Sequence, residues 1–203
     1  MMSAEEALDR LREGNRRFVT GLKDEAAQPN HYRRALTAEK QDPMAIILGC
    51  SDSRVPAEIV FDQGLGDLFV IRVAGNVVAP SQIGSVEFAA AKFGTPLVVV
   101  LGHSHCGAVL ETLDYIRQQP AQEQTESSRS IVDRIRPAVE PLLDSADADD
   151  PDEMCQAAVR ANVRASVDNL RLGSDMLRQM VAAGTLCIVG AEYSLETGAV
   201  EIL

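Results

Sequence analysis

Two short polar clusters in this sequence combine residues that bind transition metals. The first is GCSDSR at positions 49–54, and the second is GHSHCG at positions 102–107. Thiolate sulfur and imidazole nitrogen suit zinc, and three protein ligands leave one tetrahedral position for water, as catalytic zinc sites require. The sequence therefore predicts a catalytic zinc ion held by Cys50, His103 and Cys106.

Asp52 and Arg54 are the charged residues beside the first predicted ligand. They lie two positions apart, so in an extended segment their side chains share a face and can form a bidentate ion pair. Asp52 can bind zinc as a fourth ligand and close the site, or it can pair with Arg54 and admit water. Zinc lowers the pKa of its bound water to about 7, so in the second case Asp52 would orient a hydroxide nucleophile.

Other kinds of zinc protein fit these clusters less well. Single buried cysteines at strand ends are common, but here two clusters supply ligands together. Zinc fingers are disfavoured because no C-x-x-C pair occurs, and zinc nucleobase deaminases are disfavoured because H-x-E with P-C-x-x-C is absent. A non-catalytic zinc-binding protein, with Asp52 permanently in the fourth position, stays open.

Three short apolar runs, at 44–49, 67–73 and 96–102, predict the strands that position these clusters. They are β-branched or aliphatic and are bounded by Gly, Pro or Asp. A helical pattern at 81–93 separates the second run from the third, which predicts a parallel sheet with crossover helices. If the first and third strands are neighbours, both clusters meet at the carboxyl edge of the sheet, where sites in such folds form.

The remaining segments complete a predicted α/β fold. An amphipathic first helix carries Leu8, Leu11, Asn15 and Phe18 and ends near Gly21. After it come a polar solvated loop at 118–151, a helical segment at 152–183 interrupted at Gly173, a strand at 185–192 and a last strand in SLETGAVEIL. The predicted fold is a central, mostly parallel β-sheet flanked by helices, with an N-terminal helical arm and an antiparallel C-terminal edge strand.

Composition restricts the location and the partners. With 203 residues, 46% of them hydrophobic, the chain fits a single domain spanning 1–203, whose helical arm occupies about 1–36. The net charge of −11 disfavours nucleic acid as a partner. No secretory signal and no run of the ~18 apolar residues that a membrane span needs is found, which predicts a cytoplasmic protein. The four scattered cysteines are expected to be reduced thiols or metal ligands.

The order of the motifs resembles the β-class carbonic anhydrases. CSDSR is followed by GHSHCG, with QDP upstream and DLFVIRVAGNVV between them, and the match runs from about 41 to 109. The resemblance implies a zinc enzyme that reversibly hydrates carbon dioxide to bicarbonate by zinc-bound hydroxide. It also implies an α/β homodimer or homotetramer, in which the N-terminal helices reach over the partner subunit and bury their apolar face there.

The resemblance also implies roles for individual residues of the predicted metal site. Cys50, His103 and Cys106 fall on the zinc ligands of the family. Asp52 and Arg54 fall on its gating pair, so the choice between a fourth ligand and an ion pair stays open for Asp52.

Four positions are implied to line the substrate pocket. Gln41 stands where the plant-like branch of the family has a glutamine that hydrogen-bonds the substrate, and Phe69 falls on a pocket aromatic. Phe88 and Ala74 occupy pocket positions where Tyr and Val are expected. The resemblance therefore implies a pocket that lacks one hydroxyl.

Further positions bear on regulation and proton transfer. Ile47 stands where the bicarbonate-regulated branch has Trp, although Arg72 matches the basic residue of that branch, so an inhibitory bicarbonate site is not expected. His105 either carries protons or makes a structural hydrogen bond, and the structural role is favoured. Cys155 and Cys187 are expected in the core.

Two rival functions follow from the same residues. The family scaffold also supports hydrolysis of carbonyl sulfide or carbon disulfide with the same ligands, and the sequence near the ligands does not separate these reactions. The other rival is the non-catalytic zinc protein closed by Asp52.

Overall fold

The centre of the fold is a parallel sheet, seen in a computed structural model that describes residues 2–25, 31–118, 125–144 and 150–203. The strands are β1 (Ala45–Gly49), β2 (Leu68–Arg72), β3 (Leu97–His103), β4 (Cys187–Tyr193) and β5 (Val200–Ile202). Their order is β2-β1-β3-β4-β5, with β1 to β4 parallel and β5 antiparallel to β4. The predicted sheet with an antiparallel C-terminal edge strand is confirmed.

Helices cover both faces of the sheet. They are α1 (Ala4–Val19), α2 (His31–Ala38), α3 (Ala57–Val60), α4 (Pro80–Phe93), α5 (Gly107–Gln118), α6 (Glu126–Val139), α7 (Pro151–Gly173) and α8 (Asp175–Ala182). Two 3₁₀ turns occupy Ala74–Asn76 and Glu140–Asp144. Every helix in the described segments is too short or too polar to cross a lipid bilayer.

The central strands are apolar throughout because each of their faces is covered. Ile46 and Leu48 of β1 belong to a hydrophobic layer that includes residues of α4 and α7, whereas Ala45 and Ile47 pack with residues of α1 and α3. Successive side chains of a strand point to opposite faces, so a strand buried on both sides shows no polar alternation. The short apolar runs in the sequence therefore mark the sheet reliably.

The neighbouring positions of β1 and β3 decide where the ligands lie. Gly49, the last residue of β1, is paired with Leu101 of β3. Helix α7 passes close above this edge, because a Cβ at Gly102 would lie only 2.5 Å from Cγ2 of Val163. Cys50 follows Gly49, and His103 follows Gly102. The two ligands therefore lie side by side beneath α7.

Helix α1 packs on the sheet of its own chain. It begins with a capping box formed by Ser3 and Glu6, and its inner face buries Ala7 and Leu11 in the hydrophobic layer below β1 and β3. Leu11 is thus buried within its own chain, and the expectation that a partner subunit covers the rest of this face stays a prediction. The single domain and the arm boundary at about 1–36 stay predictions.

The prediction of a polar loop at 118–151 is wrong for the described residues of that range. Helix α6 and a 3₁₀ turn occupy residues 126–144. Val132, Ile135 and Val139 are buried. Their spacing of three and four residues forms one apolar stripe on a helix, although the composition around them is mostly polar. Residues 119–124 and 145–149, which include most of DSADADDPD, lie outside the described residues.

The helices near the C-terminus agree with the sequence prediction. Helix α7 ends at Gly173, where an interruption is predicted, and Ser174 accepts a hydrogen bond from the N–H of Leu177 to begin α8. Asp150 caps the start of α7 in the same way. The strand predicted at 185–192 corresponds to β4.

Candidate metal centre

Cys50, His103 and Cys106 meet at the carboxyl edge of the sheet. Cys50 directly follows β1, His103 ends β3, and Cys106 immediately precedes α5. Their two sulfur atoms and one ring nitrogen all lie within 4.8 Å of one another. The three residues are only 5%, 0% and 1% exposed, respectively. Such a close, buried set of thiol and imidazole donors has the ligand chemistry that zinc prefers.

The imidazole of His103 presents a lone pair to the cluster. Its Nδ1 lies 2.9 Å from the carbonyl oxygen of Ser104, which can only accept, so Nδ1 carries the proton. Nε2 is then an acceptor, and it is buried without a hydrogen-bond partner among the described residues. A buried polar atom without a partner costs free energy, and a bound metal ion would remove this cost. The residues present therefore fit zinc.

The two thiols of the cluster differ in how readily they ionise. The pKa of Cys50 is lowered, mainly because Cys106 donates a hydrogen bond to its sulfur, and the backbone N–H groups of Asp52 and Gly75 add to the effect. The pKa of Cys106 is raised because its proton is shared with Cys50 and because burial disfavours the thiolate. One thiolate is thus preformed, and the other thiol must lose its proton when a metal binds.

Asp52 borders the cluster and is held by Arg54. Nε of Arg54 donates to Oδ1 at 2.9 Å, and Nη2 donates to Oδ2 at 2.7 Å. The Arg54 side chain thereby keeps the pKa of the Asp52 carboxyl well below its usual range. Oδ2 of Asp52 lies 3.9 Å from Nε2 of His103. An ionised carboxylate is thus fixed beside the unpaired imidazole nitrogen.

Arg72, at the end of β2, fastens the loop that carries Cys50 and Asp52. Its Nε donates to the carbonyl of Cys50 at 3.1 Å, and its Nη2 donates to the carbonyl of Asp52 at 2.6 Å. The planar guanidinium suits two such acceptors at once. The resemblance implies only a basic residue at position 72. The structure shows that two of the N–H groups of Arg72 hold the backbone of the loop that carries Cys50 and Asp52.

Known proteins are similar to this chain along most of its length. A family model described as carbonic anhydrase matches residues 45–200. A solved β-carbonic anhydrase from Coccomyxa, in complex with acetazolamide, is similar with a TM-score of 0.72 at 25% identity, covering 97% of this chain and 86% of that chain. The chain belongs to the β-class carbonic anhydrase family.

Two relatives are more similar to this β-class carbonic anhydrase in sequence. A carbonic anhydrase of Mycolicibacterium smegmatis is 41% identical over 198 residues, which cover 95% of this chain and 89% of the relative. Carbonic anhydrase 2 of Mycobacterium tuberculosis is 42% identical over 189 residues, which cover 93% and 87%, respectively. The family predicted from the two motifs is therefore confirmed.

The residues predicted to line the substrate pocket of this β-class carbonic anhydrase are not all brought to the cluster. Phe69 and Phe88 pack together with Phe93 at centroid distances of 5.7 to 6.2 Å, and Phe88 is 53% exposed. Gln41 and Phe88 line one surface depression of about 460 Å³, and none of its described lining residues belongs to the metal cluster. Ala74 begins the 3₁₀ turn that follows β2. The pocket roles stay predictions.

His105 makes a structural contact, as the sequence favours. Its Nε2 lies 3.0 Å from Glu196, and the Ser104 hydroxyl donates to the same carboxylate at 2.9 Å. These contacts join the segment after β3 to the turn before β5, and the long separation in sequence hid Glu196 from prediction. Cys155 is buried and Cys187 is half-buried against the core, as expected.

Proposed function

We propose that this carbonic anhydrase catalyses the reversible hydration of carbon dioxide to bicarbonate with zinc bound by Cys50, His103 and Cys106. One observation carries the proposal: the unpaired, buried Nε2 of His103 belongs to a donor cluster with two thiols and lies 3.9 Å from the Asp52 carboxylate. A metal-binding set and a fixed acceptor for a water molecule thus occur together.

The donor set has the number and type of ligands of a catalytic zinc site, because it leaves one tetrahedral position free. When bound, zinc supplies the Lewis acidity that makes water a strong nucleophile near neutral pH. Cys50 would bind it as the preformed thiolate, and Cys106 would give up its proton on binding. The hydrogen bond from Nδ1 of His103 to Ser104 fixes the ring orientation and the tautomer that leaves the lone pair of Nε2 free.

Asp52 orients the attacking water. The carboxylate is ionised, so it accepts a hydrogen bond from that water and directs an oxygen lone pair at the carbon of the substrate. Because Arg54 holds both carboxylate oxygens, the acceptor is already in place and needs no rearrangement during the reaction. The same contact would compete with binding of Asp52 to the metal, so Arg54 would keep the fourth position free.

The substrate pocket in this proposal combines Gln41 with Phe69, Ala74 and Phe88. The Gln41 amide would donate to a substrate oxygen, and the aromatic rings would provide an apolar surface for carbon dioxide. The depression lined by Gln41 and Phe88 is separate from the cluster within one chain, which supports an assembly in which a second copy meets the site. A homodimer or homotetramer is therefore part of the proposal.

A cytoplasmic location is also part of the proposal. All four cysteines, each within the described part of the chain, are free thiols. The two ligand thiols must stay reduced to bind zinc, and the cytoplasm maintains that state. The net charge of −11 supports a small-molecule substrate over nucleic acid.

The test is the exchange of isotopic oxygen between carbon dioxide and water, measured by mass spectrometry on protein of known zinc content. We expect strong acceleration by the natural protein and its loss in His103→Ala, which removes one donor. Cys187→Ser changes a thiol outside the cluster and serves as the matched control that keeps activity. No acceleration at full zinc loading would contradict the proposal.

The two rival functions have separate tests. Hydrolysis of carbonyl sulfide or carbon disulfide is not favoured, because the relatives named above are carbonic anhydrases. Rates on carbon dioxide and carbonyl sulfide with the same protein preparation compare the two substrates directly. The non-catalytic hypothesis requires Asp52 to be bound to zinc at every pH. Zinc-edge X-ray absorption measured at two pH values tests this requirement.

A further inference from the structure

Ser104 connects the metal cluster to a distant part of the chain. It follows His103 directly, and its carbonyl oxygen lies 2.9 Å from Nδ1 of that imidazole. Its N–H donates to the carbonyl of Tyr193 at 2.9 Å. Its hydroxyl accepts from the N–H of Leu195 at 2.9 Å and donates to Oε2 of Glu196 at 2.9 Å. Hydrogen bonds thus lead from the turn between β4 and β5 to the ring of a proposed metal ligand.

The backbone after Ser104 has a conformation that needs support. His105 has a φ of 51°, in the left-handed region that residues other than glycine rarely adopt. Its Nε2 lies 3.0 Å from Oε1 of Glu196. The two carboxylate oxygens of Glu196 therefore contact both residues that separate His103 from Cys106. A shift of this segment would move the two ligands relative to each other.

The turn that carries Glu196 is closed by contacts of its own. The N–H of Gly198 donates to the carbonyl of Ser194 at 2.9 Å. Nδ2 of Asn15, in α1, donates to the carbonyl of Gly198 at 2.9 Å and ties the turn to that helix. The contact of Glu196 with Ser104 is therefore not needed to form the turn, and its effect falls on the segment between the ligands.

We propose that Glu196 is a positioning residue of the metal centre, which holds Ser104 so that its carbonyl accepts the proton-bearing Nδ1 of His103. This inference rests on the metal site of the proposed function. The hydrogen bond at Nδ1 fixes the tautomer whose Nε2 lone pair is free for a metal. Groups that orient a metal-binding histidine typically change metal affinity or activity by about 10–100-fold when removed. Because Glu196 acts through Ser104 rather than on the ring, we expect a loss at the lower end of that range.

Two measurements on the full-length protein test this positioning role. Nitrogen-15 NMR of the metal-free protein reports which ring nitrogen of His103 carries the proton, and the chain has only three histidines to assign. Competition with a chelator measures the affinity for zinc. We expect Glu196→Ala to mix the two tautomers of His103 and to weaken zinc binding about 10-fold. Ser104→Ala, which removes the hydroxyl that Glu196 holds, should give the same result.

The double variant Ser104→Ala/Glu196→Ala separates positioning from two unrelated effects on the fold. If Glu196 acts through Ser104, the double variant binds zinc as tightly as either single variant, whereas independent losses would multiply to about 100-fold. Ser194→Ala is the matched control, because the Ser194 hydroxyl also donates to Oε2 of Glu196, at 3.0 Å, but from within the turn. This control should keep the natural affinity and the single tautomer of His103.

The outcomes decide the role of Glu196 independently of catalysis. Equal losses in the two single variants and the double variant, with none in Ser194→Ala, support the proposal. Losses that multiply, natural affinity in Glu196→Ala, or an equal loss in Ser194→Ala overturn it. If Glu196→Ala does not fold, Glu196→Asp keeps the charge with one methylene less reach and gives the same comparison. Absence of zinc binding by the natural protein would overturn the proposed function, whereas the tautomer of His103 in the metal-free protein tests this inference separately.

Discussion

Arg54 binds the carboxylate of Asp52 through two parallel hydrogen bonds, at 2.9 and 2.7 Å, on the rim of a buried cluster of metal-binding side chains. Arg54 is largely exposed, whereas Asp52 is mostly buried. The pair thus lies where solvent meets the cluster, and the direction of the carboxylate depends on a side chain that can be changed without disturbing the core.

Arg54→Ala tests whether this ion pair keeps the metal accessible. Without the guanidinium, Asp52 is free to turn toward the metal, so we expect more carboxylate ligation and a turnover lowered about 10-fold or more. Zinc-edge X-ray absorption measures the ligation, and isotopic oxygen exchange measures the turnover. Arg136→Ala, which breaks the exposed ion pair between Arg136 of α6 and Glu140 of the following 3₁₀ turn, is the control. Unchanged turnover in Arg54→Ala would remove Arg54 from the mechanism.

Single substitutions at Cys50, His103 and Cys106 test the metal ligands. We expect each of Cys50→Ser, His103→Ala and Cys106→Ser to reduce zinc from one ion per chain to substoichiometric content, because each removes a donor from a three-ligand set. Elemental analysis after dialysis measures the content. Cys187→Ser should retain a full ion, and full retention in any ligand variant would exclude that residue from the site.

The unequal thiols predict one preformed thiolate in the metal-free protein. The pKa of Cys50 is lowered while that of Cys106 is raised, so at pH 7 Cys50 is ionised and Cys106 is protonated. Thiolate absorbance in the far ultraviolet should therefore persist as the pH falls below about 8.5, the ordinary value for cysteine, and disappear only as it passes the lowered pKa. Since metal binding needs thiolates, raising the pH favours it. The absorbance should be lost in Cys50→Ser and kept in Cys187→Ser; its survival in Cys50→Ser would contradict the assignment.

Arg72→Lys tests whether Arg72 must hold the loop that carries Cys50 and Asp52. Lysine keeps the positive charge but lacks the planar fork that reaches the carbonyls of Cys50 and Asp52 together. We expect turnover to fall about 10-fold while zinc content stays near one ion per chain, because the ligands remain but the loop is less well fixed. Kinetics on zinc-quantified protein check this. Equal turnover in Arg72→Lys and the natural protein would show that charge alone suffices.

Two glycines within helices provide a matched pair of substitutions that test how packing affects the stability of the fold. A Cβ at Gly14 would overlap the carbonyl oxygen of Phe61, whereas a Cβ at Gly84 meets nothing within 4 Å. We expect Gly14→Ala to lower the free energy of unfolding by about 1–3 kcal/mol through forced displacement of α1. Gly84→Ala should raise it by about 0.5–1 kcal/mol, since alanine favours helix. Denaturant unfolding measures both, and equal signs would refute the packing of α1.

Local sequence was sufficient for several features of the molecule. Strands β1 and β3 are continuous apolar runs because both sheet faces are covered, and Cys50 and His103 stand where those runs end. The two-residue spacing of Asp52 and Arg54 also predicts their ion pair. The polar composition around helix α6 predicts a loop, whereas the helical spacing of its few apolar residues, Val132, Ile135 and Val139, indicates the helix that forms.

The tertiary structure alone decided how distant residues act on this site. Strand order places β1 beside β3, which brings Cys50 against His103 although one strand and two helices separate them in the sequence. Neither the contacts of Arg72 with the carbonyls of Cys50 and Asp52 nor the contact of His105 with Glu196 leaves a local pattern in the sequence. Periodicity specifies which face of an element is buried, but the hydrogen-bond partner of a buried polar side chain depends on which backbone the fold brings to it.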